Sequence, residues 1–244
     1  AFGLQSFWVT REEKDRAELL GFTVVDAISV LSTHLQETLK TNFDKILSRQ
    51  AVKQLLENLK KDYPAVIDDI SVDVLPLGTI QKVLQNLLRE LIPIKDLVQI
   101  IEALIDYSKV TKNIDVLTEY VRHSLNNTIA NLYKDGNGII HAAAINEKLE
   151  AYITASFQNQ KDAVQTLGLN PVMLSELKNK MQAIVDKFDA LGYRPVFITS
   201  ATIRPYFYRL INSSFQNVTV LSYTELPSQI EIEFIDNLEI SNAH

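Results

Sequence analysis

Apolar residues recur at a helical period through the middle of the chain, from Ser48 to about Tyr133. The clearest stripe has apolar side chains three or four positions apart, at Leu77, Ile80, Val83, Leu84, Leu87, Leu88 and Leu91. Prolines at 64, 76 and 93 interrupt this pattern, and proline ends or kinks a helix. The spacing therefore predicts a bundle of several helices with short connections.

The N-terminal segment carries signals that stop and start shorter elements. Thr10 and Glu13 have capping-box spacing, so we predict a helix from Thr10 to Leu20 that Gly21 ends. The apolar run from Phe22 to Val25 predicts a short strand, and Asp26 is placed to cap a helix that reaches about Asn42. Val30 and Thr33 share one face of that helix at i, i+3 spacing.

The pattern changes after the turn signal at Asp135 to Gly138. Apolar and alternating runs predict strands at 138–145, 196–199, 218–222 and 230–235. Between them, Asn146, Asn170-Pro171 and Ser200 are helix-start signals. The resulting order, βααβαββ, predicts a mixed sheet with helices packed against it. The fold class is α+β with several subdomains, an all-helical bundle followed by this sheet.

Charge and composition exclude several classes of function. The 244 residues include 24 Lys and Arg against 30 Asp and Glu, giving a net charge of -6. This disfavours nucleic-acid binding and attachment to an anionic membrane, which both need clustered positive charge. There is no cysteine, so disulfides and thiolate metal sites are excluded. No uncharged run is long and apolar enough to span a bilayer, no secretory signal opens the chain, and its first residues are typical of the interior of a longer protein.

Side chains that could perform catalysis or bind metal do not form a recognisable motif. The histidines at 34, 123, 141 and 244 show no i, i+4 pairing and no HExxH motif, so we expect no metal. Gly136 and Gly138 do not extend to a dinucleotide-binding motif, and no cofactor is expected. Ser200 lacks the flanking glycines of a nucleophile elbow and is better interpreted as a helix cap, while Arg204 is interpreted as solvent-facing or ion-paired. A less favoured alternative is a hydrolase or transferase that uses the 127–244 sheet. It would need a clustered nucleophile, base and donor, and the sequence shows no such set.

Four segments carry a resemblance to a known family. The most specific is LPLGTIQKVLQNLLRE at residues 75–90, and the others are GFTVVDAISVLSTHL at 21–35, IKDLVQIIEALIDY at 94–107 and TSATIRPYFYRLINSSFQNVTVLSYTEL at 199–226. In order and spacing they resemble the FHIPEP family of flagellar and injectisome type III export-gate proteins. The resemblance extends over nearly the whole chain.

The resemblance implies a membrane protein whose C-terminal half is a cytoplasmic region of four subdomains. Residues 1–26 would finish the second subdomain, and 27–46 would return to the first. Residues 47–126 would form the helical third subdomain and 127–244 the fourth. The strands of the first subdomain would lie upstream.

The resemblance also implies a function without enzymatic activity. Family members form a nine-membered ring at the cytoplasmic face of the bacterial inner membrane, where they receive flagellar chaperone-substrate complexes and export substrates. Further expected partners are components of the export ATPase complex and the other export-gate membrane proteins. Docking uses a hydrophobic depression, whose functional Phe falls on Phe2 and whose functional Thr falls on Thr33, with Val25 and Val30 lining it. An injectisome export-gate domain and a purely structural ring module stay open as alternatives.

Overall fold

The computed structural model describes residues 5–71, 73–158, 171–215 and 217–240. The predicted docking residue Phe2 lies outside these ranges. The described residues form α-helices and a four-stranded sheet, which confirms the predicted α+β class. None of the described helices combines the length and the apolarity needed to cross a membrane.

The N-terminal segment contains three helices, of which the first begins at Lys14 rather than at the predicted Thr10 and the second has a side-chain cap. They are α1 (Lys14–Leu19), α2 (Ala27–Lys40) and α3 (Phe43–Ile46). Gly21 adopts a φ of +83° just after α1, which favours glycine, and Asp26 Oδ1 accepts a hydrogen bond of 2.9 Å from the Ser29 N–H at the start of α2. The predicted strand at Phe22–Val25 is wrong, because this segment is irregular. A strand needs a neighbour for its N–H and C=O groups, and the sheet of the described residues pairs only strands between 139 and 238.

The middle of the chain is the predicted helical bundle. Its members are α4 (Arg49–Asp62), α5 (Pro64–Asp68), α6 (Leu77–Arg89), α7 (Leu97–Tyr107), α8 (Ile114–Ser124) and α9 (Asn126–Tyr133). Pro64 occupies the first turn of α5 and Pro76 the N-cap of α6, so both predicted breaks are confirmed. The stripe of α6 buries Ile80, Val83, Leu84 and Leu87. Leu91 is half exposed instead, because α6 has already ended and Leu91 adopts a left-handed φ of 58°.

The last part has the predicted βααβαββ order. Its elements are β1 (Ile139–Ile145), α10 (Glu147–Gln158), α11 (Pro171–Leu191), β2 (Val196–Thr199), α12 (Arg204–Asn212), β3 (Thr219–Ser222) and β4 (Glu231–Leu238), with a 3-10 helix at Tyr223–Glu225. The strand order is β3-β2-β1-β4, and every pair is parallel where we expected mixed pairing. β3 and β4 lie at opposite edges of the sheet, and residues 223–230 connect the end of β3 to the start of β4.

The sheet joins two hydrophobic cores. Ile140 and Ala142 belong to the cluster that also contains the apolar faces of α6, α7 and α8. Ala143 and Ile145 belong to a second cluster with α10, α11 and α12. Because successive strand residues point to opposite faces, one sheet serves both cores. The division into subdomains at 126 and 127 stays a prediction, although one core contains residues from both sides of it.

Candidate docking surface

Three of the four predicted docking residues lie on α2 or just before it. Val30 is half-buried and Thr33 is exposed, and both lie on the same side of α2. Val25 precedes the helix in irregular chain and is 54% exposed. The Asp26 cap fixes where α2 begins, and the i, i+3 spacing of Val30 and Thr33 places them on one face of it.

The hydroxyl of Thr33 is already engaged within the helix. Its Oγ1 donates a hydrogen bond of 2.8 Å to the Ser29 carbonyl, one turn earlier. Its proton is therefore not available to a partner in this arrangement, although the oxygen can still accept. In the predicted depression, Thr33 would therefore act as a small, exposed side chain beside Val30.

A second face of α2 was missed by the sequence reasoning. It is an apolar stripe whose members lie three or four positions apart and are 77%, 66%, 55% and 37% exposed: Ile28, Leu31, Leu35 and Leu39. At about 100° per residue, this stripe lies on the opposite side of α2 from Val30 and Thr33. The i, i+3, i+7, i+11 spacing of this stripe was present in the sequence. Its exposure could not be read there, since such stripes ordinarily face a core.

The exposed apolar surface continues beyond α2. Leu19, Leu20 and Phe22 are 88%, 68% and 65% exposed, and α1, α2 and α3 contain no buried residue. Single exposed apolar side chains are ordinary, but so many within one segment are typical of an interaction surface.

Two carboxylates lie at the helix starts of this segment: Asp26 caps α2, and Glu13, just before α1, accepts hydrogen bonds from Thr10. Hydrogen bonds from the Ser29 hydroxyl and N–H hold the pKa of Asp26 below its ordinary value. The backbone N–H and the hydroxyl of Thr10 do the same for the pKa of Glu13. Both groups are therefore ionised at neutral pH, where they complement the positive end of the following helix.

Side chains with possible catalytic chemistry are held in structural contacts. His141 stacks on Tyr193 at 3.7 Å between ring centroids, and its Nε2 lies 3.3 Å from Asp135. The prediction that Ser200 caps α12 with its side chain is wrong. The Ser200 carbonyl accepts a hydrogen bond of 3.0 Å from the Arg204 N–H, and Ile203 is the N-cap. In the described ranges, no group of three or more His, Asp or Glu side chains is arranged to hold a metal.

A buried network of five charged side chains joins the bundle to the sheet. Of these five, the sequence analysis considered only Arg204, as solvent-facing or ion-paired; it is ion-paired and 1% exposed, so the solvent-facing alternative is wrong. Arg122 on α8 bonds Glu225 at 2.7 and 2.8 Å and Glu90 at 2.9 Å. Arg204 on α12 bonds the same Glu90 oxygen at 2.6 Å and Glu119 at 2.6 Å. Burial alone would raise the pKa of Glu90, but the two guanidiniums hold it below its ordinary value. A cleft of about 160 Å³ opens over Glu90, Glu119 and Arg204.

Comparison with known proteins gives one family and one fold. A model of the FHIPEP family matches residues 1–231. The flagellar biosynthesis protein FlhA of Treponema pallidum is 35% identical over 247 residues, which cover 99% of this chain and 34% of that protein. The chain thus spans about a third of the length of this relative.

Solved structures agree with the fold described above. The CdsV protein of Chlamydia pneumoniae, solved in complex with CdsO, superimposes with a TM-score of 0.82 at 26% sequence identity. The superposition covers 95% of this chain and 68% of the CdsV chain. The nonameric SctV-C of EPEC superimposes with a TM-score of 0.79 at 24% sequence identity, and the superposition covers 93% of this chain and 68% of the SctV-C chain. At that identity the second structure supports the fold alone.

Proposed function

Because the chain belongs to the FHIPEP family, we propose that it is part of the docking platform of a flagellar type III export gate, which binds chaperone-substrate complexes and export substrates. The observation that carries the proposal is α2, an amphipathic helix without a buried residue inside a segment rich in exposed apolar side chains. Such surfaces bind a partner's amphipathic helix through apolar contacts and a few aromatic anchors. The role is binding rather than catalysis.

The two faces of α2 have different occupants in this proposal. The stripe of Ile28, Leu31, Leu35 and Leu39 is covered by another part of the full-length protein, the first-subdomain strands that the family resemblance implies. The chain covers 68% of the CdsV chain, so its relatives contain additional residues that can supply them. The face of Val30 and Thr33 then remains for the chaperone, with Phe2 and Val25 completing the depression.

The wider assembly follows the relatives. We propose that the full-length protein forms a nine-membered ring at the cytoplasmic face of the bacterial inner membrane, as the nonameric SctV-C structure suggests by analogy of fold. Components of the export ATPase complex and the other gate membrane proteins are the proposed further partners, and the CdsV complex with CdsO is a precedent for partner binding by this fold. The flagellar system is favoured over an injectisome by the 35% identity to a flagellar protein.

Calorimetric titration of a flagellar chaperone-substrate complex into the protein tests the docking site. The variant is Thr33→Asp, which places a charge on the proposed face. Thr38→Asp is the matched control, because Thr38 is also exposed on α2 and also donates a 2.8 Å hydrogen bond to the carbonyl four residues earlier. Five residues separate the two positions, so they point about 140° apart around the helix.

The expected result is loss of binding in Thr33→Asp with binding retained in Thr38→Asp. Circular dichroism of both variants shows whether α2 stays folded. Equal binding by both variants would place the contact elsewhere. Loss of binding in both variants would show that the aspartate disturbs α2 as a whole rather than the face of Val30 and Thr33.

A further inference from the structure

The buried network that joins the bundle to the sheet contains one more carboxylate than guanidinium. Its acidic members are Glu90, Glu119 and Glu225, and its basic members are Arg122 and Arg204. With all five side chains ionised, three carboxylates and two guanidiniums leave one excess negative charge in the interior. An uncompensated charge is costly inside a protein, and such a group ordinarily becomes neutral by changing its protonation state.

The groups around the network do not cancel this excess. Charged and titratable side chains face Glu119 from each neighbouring element: Arg89 and Glu90 at the end of α6, Asp115 and Arg122 on α8, Arg204, Tyr208 and Arg209 on α12, and Glu225 in the 3-10 helix. The two arginines outside the network already have carboxylate partners. Arg89 pairs with Asp44 at 3.2 Å, and its side chain is 47% exposed. Arg209 pairs with Asp115 at 2.8 Å in solvent. The excess charge therefore stays on the buried carboxylates.

The hydrogen bonds single out Glu119 as the carboxylate with the least compensation. Glu90 accepts hydrogen bonds from both Arg122 and Arg204. Glu225 accepts two from Arg122, and the Nε of Arg204 lies 3.4 Å from its carboxylate. Among the described residues, Glu119 bonds one arginine, Arg204, through Nε at 2.6 Å and through Nη2. That arginine is shared with the other two carboxylates, so Glu119 receives the smallest part of the positive charge.

Glu119 is also the member of the network that water reaches most easily. Its side chain is 15% exposed at the cleft of about 160 Å³, compared with 11% for Glu90 and 1% for Glu225. Burial raises the pKa of Glu119 above its ordinary value although Arg204 and Arg122 oppose this, and the charge of Glu225 adds to the rise. The pKa of Glu90 is shifted in the opposite direction. One network thus prepares one carboxyl to hold a proton and another to stay ionised.

We propose that the network is a proton-binding site, and that a proton taken up at Glu119 through the cleft makes it neutral. Two carboxylates then face two guanidiniums. Because the folded state holds this proton more tightly than the unfolded chain, the stability linked to it is complete below the ordinary pKa of 4.5 and is lost as the pH rises through the higher pKa of the folded state. Mild acidification therefore strengthens the attachment of bundle to sheet. The inference goes beyond docking and does not depend on which partner binds α2.

Urea unfolding of the whole chain at a series of pH values from about 5 to about 8 tests the site. Glu119→Gln imitates the protonated side chain, because the amide is neutral and has nearly the same shape. Asp115→Asn is the matched control, since Asp115 lies one turn earlier on α8 and also pairs with an arginine of α12, but in solvent. Glu90→Gln provides the contrast, because it neutralises the carboxylate that holds both arginines.

The expected result is a higher urea midpoint for Glu119→Gln than for the unsubstituted protein at pH 8, with a difference that decreases towards pH 5. Asp115→Asn should not raise the midpoint, and Glu90→Gln should lower it throughout. A Glu119→Gln midpoint equal to or below that of the unsubstituted protein at pH 8 would overturn the proton site. So would a difference that is independent of pH or that Asp115→Asn shares.

Infrared spectroscopy detects the proton itself. The carboxylic-acid band that is missing from Glu119→Gln belongs to Glu119, and it should disappear only as the pH rises above the ordinary range of glutamate, about 4.3. A band that disappears at or below that range would show that Glu119 is ionised in the folded protein and would likewise overturn the site.

Discussion

Removing one guanidinium from the buried charged network should destabilise the fold far more than removing an exposed one from the same helix. Arg204→Met is expected to lower the free energy of unfolding by about 3 kcal/mol. Arg209→Met should lower it by less than about 1 kcal/mol. Methionine keeps most of the apolar stem in both variants, so the comparison isolates the charge.

The magnitude follows from what each arginine leaves behind. Arg204 is 1% exposed and bonds Glu90 and Glu119, so its loss leaves Arg122 as the one guanidinium facing three carboxylates of the network. Breaking such a buried pair costs about 3 to 5 kcal/mol. The lower end applies because the Glu119 side chain keeps 15% exposure at the cleft, where water can hydrate it. Arg209 is 53% exposed and pairs with Asp115 at 2.8 Å in solvent.

Urea unfolding followed by far-ultraviolet circular dichroism measures both variants, with equal slopes as the check that the unfolded states are comparable. Adding Glu119→Gln to Arg204→Met should recover part of the loss, because it removes the carboxylate that was left without its partner. If Arg204→Met and Arg209→Met were destabilised equally, by less than about 1 kcal/mol, the network would not hold the bundle to the sheet and the reasoning would fail.

Two further predictions concern residues at the end of α6 and beside it. Leu91→Gly should be more stable than Leu91→Ala by about 1 kcal/mol in thermal unfolding, because a φ of 58° is unfavourable for any side chain but not for glycine; a more stable alanine variant would contradict this. Burial and the charge of Glu90 raise the pKa of Tyr208 to about 12, so the difference in ultraviolet absorbance between the protein and Tyr208→Phe should show ionisation near pH 12, and a midpoint near 10 would refute it. Because this pKa is raised in the folded state, the stability linked to Tyr208 is complete below pH 10 and is lost as the pH rises towards 12.

Local signals in the sequence determined the helices and strands with few errors. The prolines at 64 and 76 lie where helices begin, and the strand predicted at Val196–Thr199 has the bounds observed. These signals work because a cap, a proline or a period of 3.6 acts within a few residues. The strand predicted at Phe22–Val25 failed because a short segment rich in β-branched and aromatic residues forms a strand only when another strand pairs with it.

The candidate site divides in the same way. The sequence determined that Val30 and Thr33 share a face of a helix that Asp26 caps, because both facts depend on spacing alone. Only the tertiary structure showed that the opposite stripe from Ile28 to Leu39 is exposed, since exposure depends on what packs against a helix and not on its own residues.

The long-range contacts were decided by the tertiary structure alone. The sequence left Arg204 as solvent-facing or ion-paired, because its partners Glu119 and Glu90 lie 85 and 114 positions away. The parallel position of β4 beside β1 likewise depends on the path of residues 223–230 over the sheet. Short-range physics therefore determined the elements of this protein, whereas their burial and their long-range partners depend on groups that only the folded chain brings together.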